Sequence, residues 1–184
     1  MTWSHTPRLP ILIWCLWVFP FTLWDTIYLV LRPYSLPSNK WHHPYFSGTF
    51  TIWASIDHIY GQEGYDEKEG FVLAQSVMNM LEAILCIVYA WYIWTNSTTG
   101  FWSATVTGKK GARAVLVGLS AGYVTAIKTA LYFLREVFSG YKYTGHNEWK
   151  PFLVTWYGMK CVALPRDLTM LIVLAYFTPP RHYT

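Results

Sequence analysis

The chain has 184 residues, 53% of them hydrophobic and 13% charged, roughly half the charged share of an ordinary soluble domain. Low charge with high apolar content excludes disorder. A net charge of +4, scattered along the chain, argues against nucleic acid as a partner.

The first apolar segment, Pro10 to Leu31, holds one charge, Asp25. Its length matches the roughly 20 residues that a membrane-crossing helix needs. It runs into Arg32-Pro33 rather than a small-residue cleavage site, so it is expected to be retained and not removed as a signal peptide. Residues 32–70 are aromatic and acidic, with a short helix or turn expected around Trp53 to Tyr60. Phe71 to Thr95 is the second segment and carries only Glu82. Residues 96–113 are polar and hold Lys109, Lys110 and Arg113 without an acid. Ala114 to Phe133 is the third segment, with Lys128 as its charge, and Phe152 to Phe177 is the fourth, with Lys160, Arg166 and Asp167. The expected fold class is all-α: a polytopic membrane protein built as one domain over 1–184, a bundle of four transmembrane helices with the 32–70 loop capping it. Four crossings place both termini on one side, and the acid-free basic trio favours the cytosol for that side. Cys15, Cys86 and Cys161 each lie in an apolar run and read as small buried hydrophobes, not as a disulfide framework.

Ionisable groups inside membrane helices are costly and therefore point to function. The first segment puts Trp14, Trp17, Phe21, Trp24, Asp25 and Tyr28 on one helical stripe. The second aligns Gln75, Asn79, Glu82, Cys86 and Tyr89, with Val72, Leu81, Ile84 and Val88 opposite. The third aligns Gly118, Ala121, Thr125, Lys128 and Tyr132. The fourth sets Trp156, Lys160 and Asp167 on one side, near an expected kink at Pro165. Counted along the helices, Asp25, Lys128, Lys160 and Glu82 lie about 8–16 Å inside the same boundary. Two acids and two amines are thus expected in one half of the bundle. Ion pairing alone accounts for the amines. A carboxyl among rings and amides also holds a proton more tightly, which suits proton delivery to an apolar substrate.

At these residues the chain resembles the emopamil-binding-protein family, which includes the sterol Δ8–Δ7 isomerases, the sigma-2 receptor and other EXPERA-domain proteins. Phe21-Thr-Leu-Trp-Asp25-Thr-Ile-Tyr-Leu-Val-Leu-Arg-Pro33 is similar to the family's first acid-bearing helix. Trp53-Ala-Ser-Ile-Asp57-His-Ile-Tyr-Gly61 is similar to its tryptophan–acid loop. Gly70-Phe-Val-Leu-Ala-Gln75-Ser-Val-Met-Asn79-Met-Leu-Glu82 is similar to its glutamate helix, in the manner of a short fungal branch. Tyr132-Phe133-Leu134 and Ala163-Leu164-Pro165 fit the last two helices. The resemblance implies an integral membrane protein of the endoplasmic reticulum with a ligand cavity, and it puts Asp25 and Glu82 on the family's two cavity acids. The isomerases carry a histidine four positions before the first acid, and here that position is Phe21.

The expectation is an enzyme working by paired carboxylates, with Asp25, Glu82 and Asp57 catalytic. Phe21, Trp24, Tyr28, Trp53, Gln75, Asn79, Lys128, Tyr132, Trp156 and Lys160 are the expected substrate-binding residues. The reaction expected is protonation of a hydrophobic polyene, polyketide or terpenoid, leading to epoxide opening or cyclisation in secondary metabolism. The alternatives are a sterol double-bond isomerase and a non-catalytic sterol- or amine-binding protein. Expected partners are the hydrophobic small molecule and the lipid bilayer, with a homodimer left open and no nucleic acid. No cofactor is expected, and no metal, because His42, His43 and His58 lie in a loop without a ligand set.

Overall fold

The computed structural model describes residues 4–100, 104–150 and 152. In chain order these form strand β1 (Ser4–His5), helix α1 (Leu9–Val30), helix α2 (Thr49–Ile56), a 3-10 turn (His58–Tyr60), helix α3 (Gln62–Asp66), helix α4 (Phe71–Asn96), strand β2 (Val106–Thr107) and helix α5 (Gly108–Phe138). The described chain is mostly helical, and α1, α4 and α5 are each long and apolar enough to cross a membrane. The fourth expected segment, with Trp156, Lys160, Pro165 and Asp167, lies outside the described residues apart from Phe152.

Three details differ from the sequence reading. The third apolar segment is the middle of a longer helix. α5 begins at Gly108 and runs to Phe138, so Lys109, Lys110 and Arg113 sit on its first turns and Arg135 on its last. Lysine, arginine and alanine extend a helix readily, and an apolar window does not register them. Around Trp53 to Tyr60 the chain makes two elements. Asp57 takes an extended conformation that ends α2, and its side chain caps the 3-10 turn by accepting from Ile59 N. Finally, the sequence groups Val72 with Leu81, Ile84 and Val88 opposite the polar stripe, yet Val72 is fully buried, whereas the other three are exposed.

The described residues divide into two compact units. The first comprises residues 4–20 and 81–127. Its core joins Ile11, Leu12, Trp14, Cys15 and Val18 to Ala83, Cys86, Tyr89, Ile93, Ala114 and Ala121. Residues spaced at three and four along each helix face one another, and small Ala and Cys positions let the backbones come close. β1 and β2 pair antiparallel, Ser4 against Thr107 and His5 against Val106. His5 Nε2 lies 2.9 Å from the Tyr89 hydroxyl. Burial lowers the His5 pKa to about 4, so this ring is neutral near pH 7.

The second unit comprises residues 21–80 and 128–152. Its core is aromatic: Tyr28 stacks on Phe50 at 3.9 Å between centroids and 11° between planes. Phe46 meets both rings edge-on. Leu36, Ile59, Val72 and Tyr132 complete it. The loop is tied to α1 through polar contacts as well. Tyr28 Oη donates to the Tyr60 carbonyl at 2.9 Å, Arg32 Nη1 to the Ile59 carbonyl at 3.1 Å, and Trp24 Nε1 to the Tyr45 carbonyl at 3.1 Å. His42 Nδ1 donates to the Ser35 carbonyl at 2.7 Å, since a carbonyl can only accept, which leaves Nε2 for the Thr51 hydroxyl at 2.7 Å.

The turn between the 3-10 segment and α3 leaves no room for a side chain at Gly64. A Cβ there would stand 2.3 Å from the Ile59 carbonyl oxygen and 2.7 Å from its Cα, both backbone atoms that cannot swing aside. At Gly70 a Cβ would meet nothing within 4 Å. Gly64→Ala is therefore expected to cost about 1–3 kcal/mol or more, and Gly70→Ala to stay within about 1 kcal/mol of wild type. Thermal unfolding of the detergent-solubilised variants measures both. Equal melting temperatures for the two would contradict this packing.

Candidate functional site

The second unit holds a continuous polar line across three helices. Lys128 on α5 is 5% exposed and Asn79 on α4 is 8% exposed. The Lys128 ammonium donates to Asn79 Oδ1. An ammonium has only hydrogens to offer, so it selects the amide oxygen and turns the amide nitrogen the other way. That nitrogen donates to Asp25 Oδ2 on α1 at 3.1 Å. Gln75, one turn before Asn79, donates from Nε2 to the Lys128 carbonyl at 2.7 Å and holds α4 against α5. Asp25 is half-buried, so the line runs from a buried cation to a carboxylate that is still reachable. Chemically this orients Asp25 as an acceptor.

One helical turn along α5 from Lys128, Tyr132 donates to Asp57 Oδ2. Asp57 Oδ1 accepts from Ile59 N at 3.3 Å. Asp57 is fully buried. That burial raises its pKa from an ordinary 3.8 to about 6, against the downward pull of the Tyr132 hydrogen bond. The carboxyl is therefore poised within reach of neutral pH. Trp53 meets Tyr60 edge-on at 5.8 Å and Trp24 meets Phe50 at 4.9 Å, so aromatic rings line this part of the unit. Phe21 is half-buried on α1, one turn before Asp25.

Glu82 belongs to the first unit. It is fully buried, and Thr125 Oγ1 lies 2.7 Å from its Oε1. The same hydroxyl is 3.0 Å from the Ala121 carbonyl. One hydroxyl hydrogen is thus shared between two acceptors, the carboxyl of Glu82 and the backbone of its own helix. Of the expected residues, then, Asp25, Asn79, Lys128 and Gln75 form one connected set in the second unit, and Asp57 and Tyr132 form a pair there. Glu82 sits in the other unit with Thr125. Trp156 and Lys160 lie outside the described residues.

Two groups were not singled out from sequence. Thr125 stood on the Lys128 stripe but was not read as a partner of Glu82, because a hydroxyl carries no charge to flag it. Glu136, 6% exposed, accepts from Arg135 Nη1 and from Thr144 Oγ1 at 2.7 Å. It falls one turn past Tyr132, beyond the apolar window. Around it, Arg135 lies 4.4 Å from the Tyr143 ring centroid and reaches Glu69 at 3.4 Å, while Glu69 caps α4 by accepting from Phe71 N at 2.6 Å. Lys142 and Tyr143 both donate to Glu67, which lowers the Glu67 pKa. These contacts secure residues 135–144 to the loop that carries Asp57.

Comparison of the chain with protein-family models, curated proteins and solved structures gave no match.

The Asp57 geometry has a pH signature. Its folded pKa of about 6 lies above the ordinary 3.8, so between those values the folded state binds the proton more tightly. The contribution to stability is present at low pH and is lost as pH rises through about 6. Across that interval wild type should lose up to about 3 kcal/mol relative to Asp57→Asn, whose amide still accepts from Tyr132. Denaturant unfolding of both proteins between pH 4 and pH 7 reads the difference. A difference independent of pH would mean that Asp57 is not held in a low-dielectric site.

Proposed function

We propose that the chain is an intramembrane acid–base enzyme, similar to the short fungal branch of the emopamil-binding-protein family, that acts on a hydrophobic polyene, polyketide or terpenoid. Its reaction is epoxide opening, by hydrolysis or by internal cyclisation. The observation carrying this reading is the Lys128–Asn79–Asp25 line: a half-buried carboxylate, held as an acceptor on helices apolar enough to cross a membrane. The finer architecture belongs to the same proposal. It comprises a fourth crossing over 152–177, a loop 32–70 capping the bundle, and residence in the endoplasmic reticulum.

In this reading Asp25 takes a proton from water, or from a hydroxyl of the substrate, as that oxygen attacks an epoxide carbon. The C–O bond breaks and a second carboxyl protonates the departing oxygen. Within the same unit Asp57 is the carboxyl offered for that role, because its pKa of about 6 lies near neutral pH. Glu82 is the second acid named by the resemblance. Phe21 stands where the isomerases have histidine. A phenyl ring neither relays a proton nor holds a charge, which favours one-way protonation of a basic oxygen over reversible shuttling along a sterol ring.

A binding reading has one observation in its favour. Asp25 is a half-buried carboxylate held as an acceptor, and such a group suits a ligand ammonium. Turnover separates the two. The purified protein is to be incubated with a panel of epoxy-polyenes and epoxy-terpenoids, with products resolved by mass. A diol or cyclic ether is expected, and Asp25→Asn and Glu82→Gln should each cut its formation by about 10²–10⁴ while the variants remain folded. Wild-type rates in both variants would remove Asp25 and Glu82 from the mechanism. Expression in a strain lacking its sterol isomerase should fail to rescue growth, and rescue would turn the assignment to the isomerases.

A further inference from the structure

At one end of the first unit, hydrogen bonds from backbone and hydroxyl groups gather three helix termini. Ser97, just past α4, accepts from Thr105 N through its hydroxyl at 3.3 Å, and Thr98 N donates to the Thr105 carbonyl at 3.3 Å. The next two residues form β2 and pair with β1, and Thr6 Oγ1 lies 3.2 Å from Thr105 Oγ1. The start of α1, the end of α4 and the start of α5 therefore share this end. Arg8, whose carbonyl accepts the first helical bonds of α1 from Ile11 and Leu12, comes with β1. Lys109, Lys110 and Arg113 come with α5. All four are exposed.

The α5 cations are unfavourably placed within the chain. Positive charge opposes the helix dipole at an N-terminus, and Lys109 and Arg113, four apart, repel each other. The first turn of α5 has no acid to offset them. Among the described residues none of the three is in an ion pair. His5, the remaining titratable group beside β2, is neutral at pH 7. The end that carries them is also marked as a membrane boundary. α1, α4 and α5 are the helices apolar enough to span, and Trp91 and Trp94 on the last turns of α4 are 56% and 66% exposed, as indoles at headgroup depth are.

The structure assigns Arg8, Lys109, Lys110 and Arg113 as a docking surface for the anionic headgroups of a phospholipid leaflet. The lipid phosphate and carboxylate supply the negative charge that Lys109, Lys110 and Arg113 do not meet among the described residues, and the surface orients this end toward the leaflet richest in anionic lipid, the cytosolic one.

The test uses the full chain, reconstituted in vesicles of phosphatidylcholine doped with phosphatidylserine, re-extracted in mild detergent, and analysed for the lipids it retains. Wild type is expected to retain phosphatidylserine over phosphatidylcholine by about tenfold more than K109Q/K110Q/R113Q. The charge-conserving K109R/K110R/R113K should keep the preference, and raised salt should weaken it in wild type. Circular dichroism confirms that the exposed substitutions leave the helices formed. Equal retention by wild type and the neutral triple variant overturns the proposal. So does loss of the bound lipid to millimolar inorganic phosphate, which would identify a free-anion site instead of a leaflet surface.

Discussion

An ammonium on a helix apolar enough to cross a membrane must be given an acceptor, and Asn79 is one that Lys128 reaches. An amide suits this place because its two ends differ. The oxygen takes the cation, and the nitrogen then has hydrogens to give to Asp25. A carboxylate at position 79 would put a second negative charge against Asp25, and an apolar residue would leave both ends without this partner, at a cost of about 1–3 kcal/mol for each buried polar group. The orientation of Asp25 thus depends on a neutral residue between two charged ones. The Gln75 contact to the Lys128 carbonyl keeps the two helices in the register that the line needs.

The second unit is organised around aromatic rings because its loop has little else to bury. Tyr28, Phe46 and Phe50 meet in stacked and edge-on contacts, each contributing roughly 0.5–1.5 kcal/mol beyond area burial. Such a core excludes water, and that exclusion raises the Asp57 pKa. Structure and chemistry are coupled here. The side chain that caps the 3-10 turn is also the one whose pKa burial raises to about 6, and the Glu67 contacts keep residues 142–143 against the loop that carries it.

The first unit solves a different problem. Its interior joins Ala83, Cys86, Tyr89 and Ile93 on α4 and Ala114 and Ala121 on α5 to the face of α1 that carries Ile11, Leu12, Trp14, Cys15 and Val18, and the buried Glu82–Thr125 contact links α4 to α5. Among the described residues its surface charge is concentrated at the end where β1 and β2 meet. The two-stranded pairing is minimal, two residues on each strand, yet it sets where the segment bearing Arg8 lies.

Much of the helical framework was legible in the sequence. Asp25, Glu82 and Lys128 each interrupt an apolar run, and run length alone placed α1 and α4 to within about two residues. The polar stripes were legible too, since helical periodicity put Gln75 with Asn79 and Thr125 with Lys128. Periodicity describes one helix at a time, however. It says which residues share a face and not which residue on another helix they meet. That Asn79 stands between Lys128 and Asp25, that Glu82 takes Thr125, and that Asp57 is reached by Tyr132 from 75 residues away were decided by tertiary packing alone. The basic end was legible in part. Lys109, Lys110 and Arg113 were visible as a trio, and an even number of crossings put Arg8 on their side of the membrane. The pairing of β1 with β2 that ties the two segments together was decided by tertiary structure alone, because a two-residue strand has too few side chains to leave a pattern in the sequence.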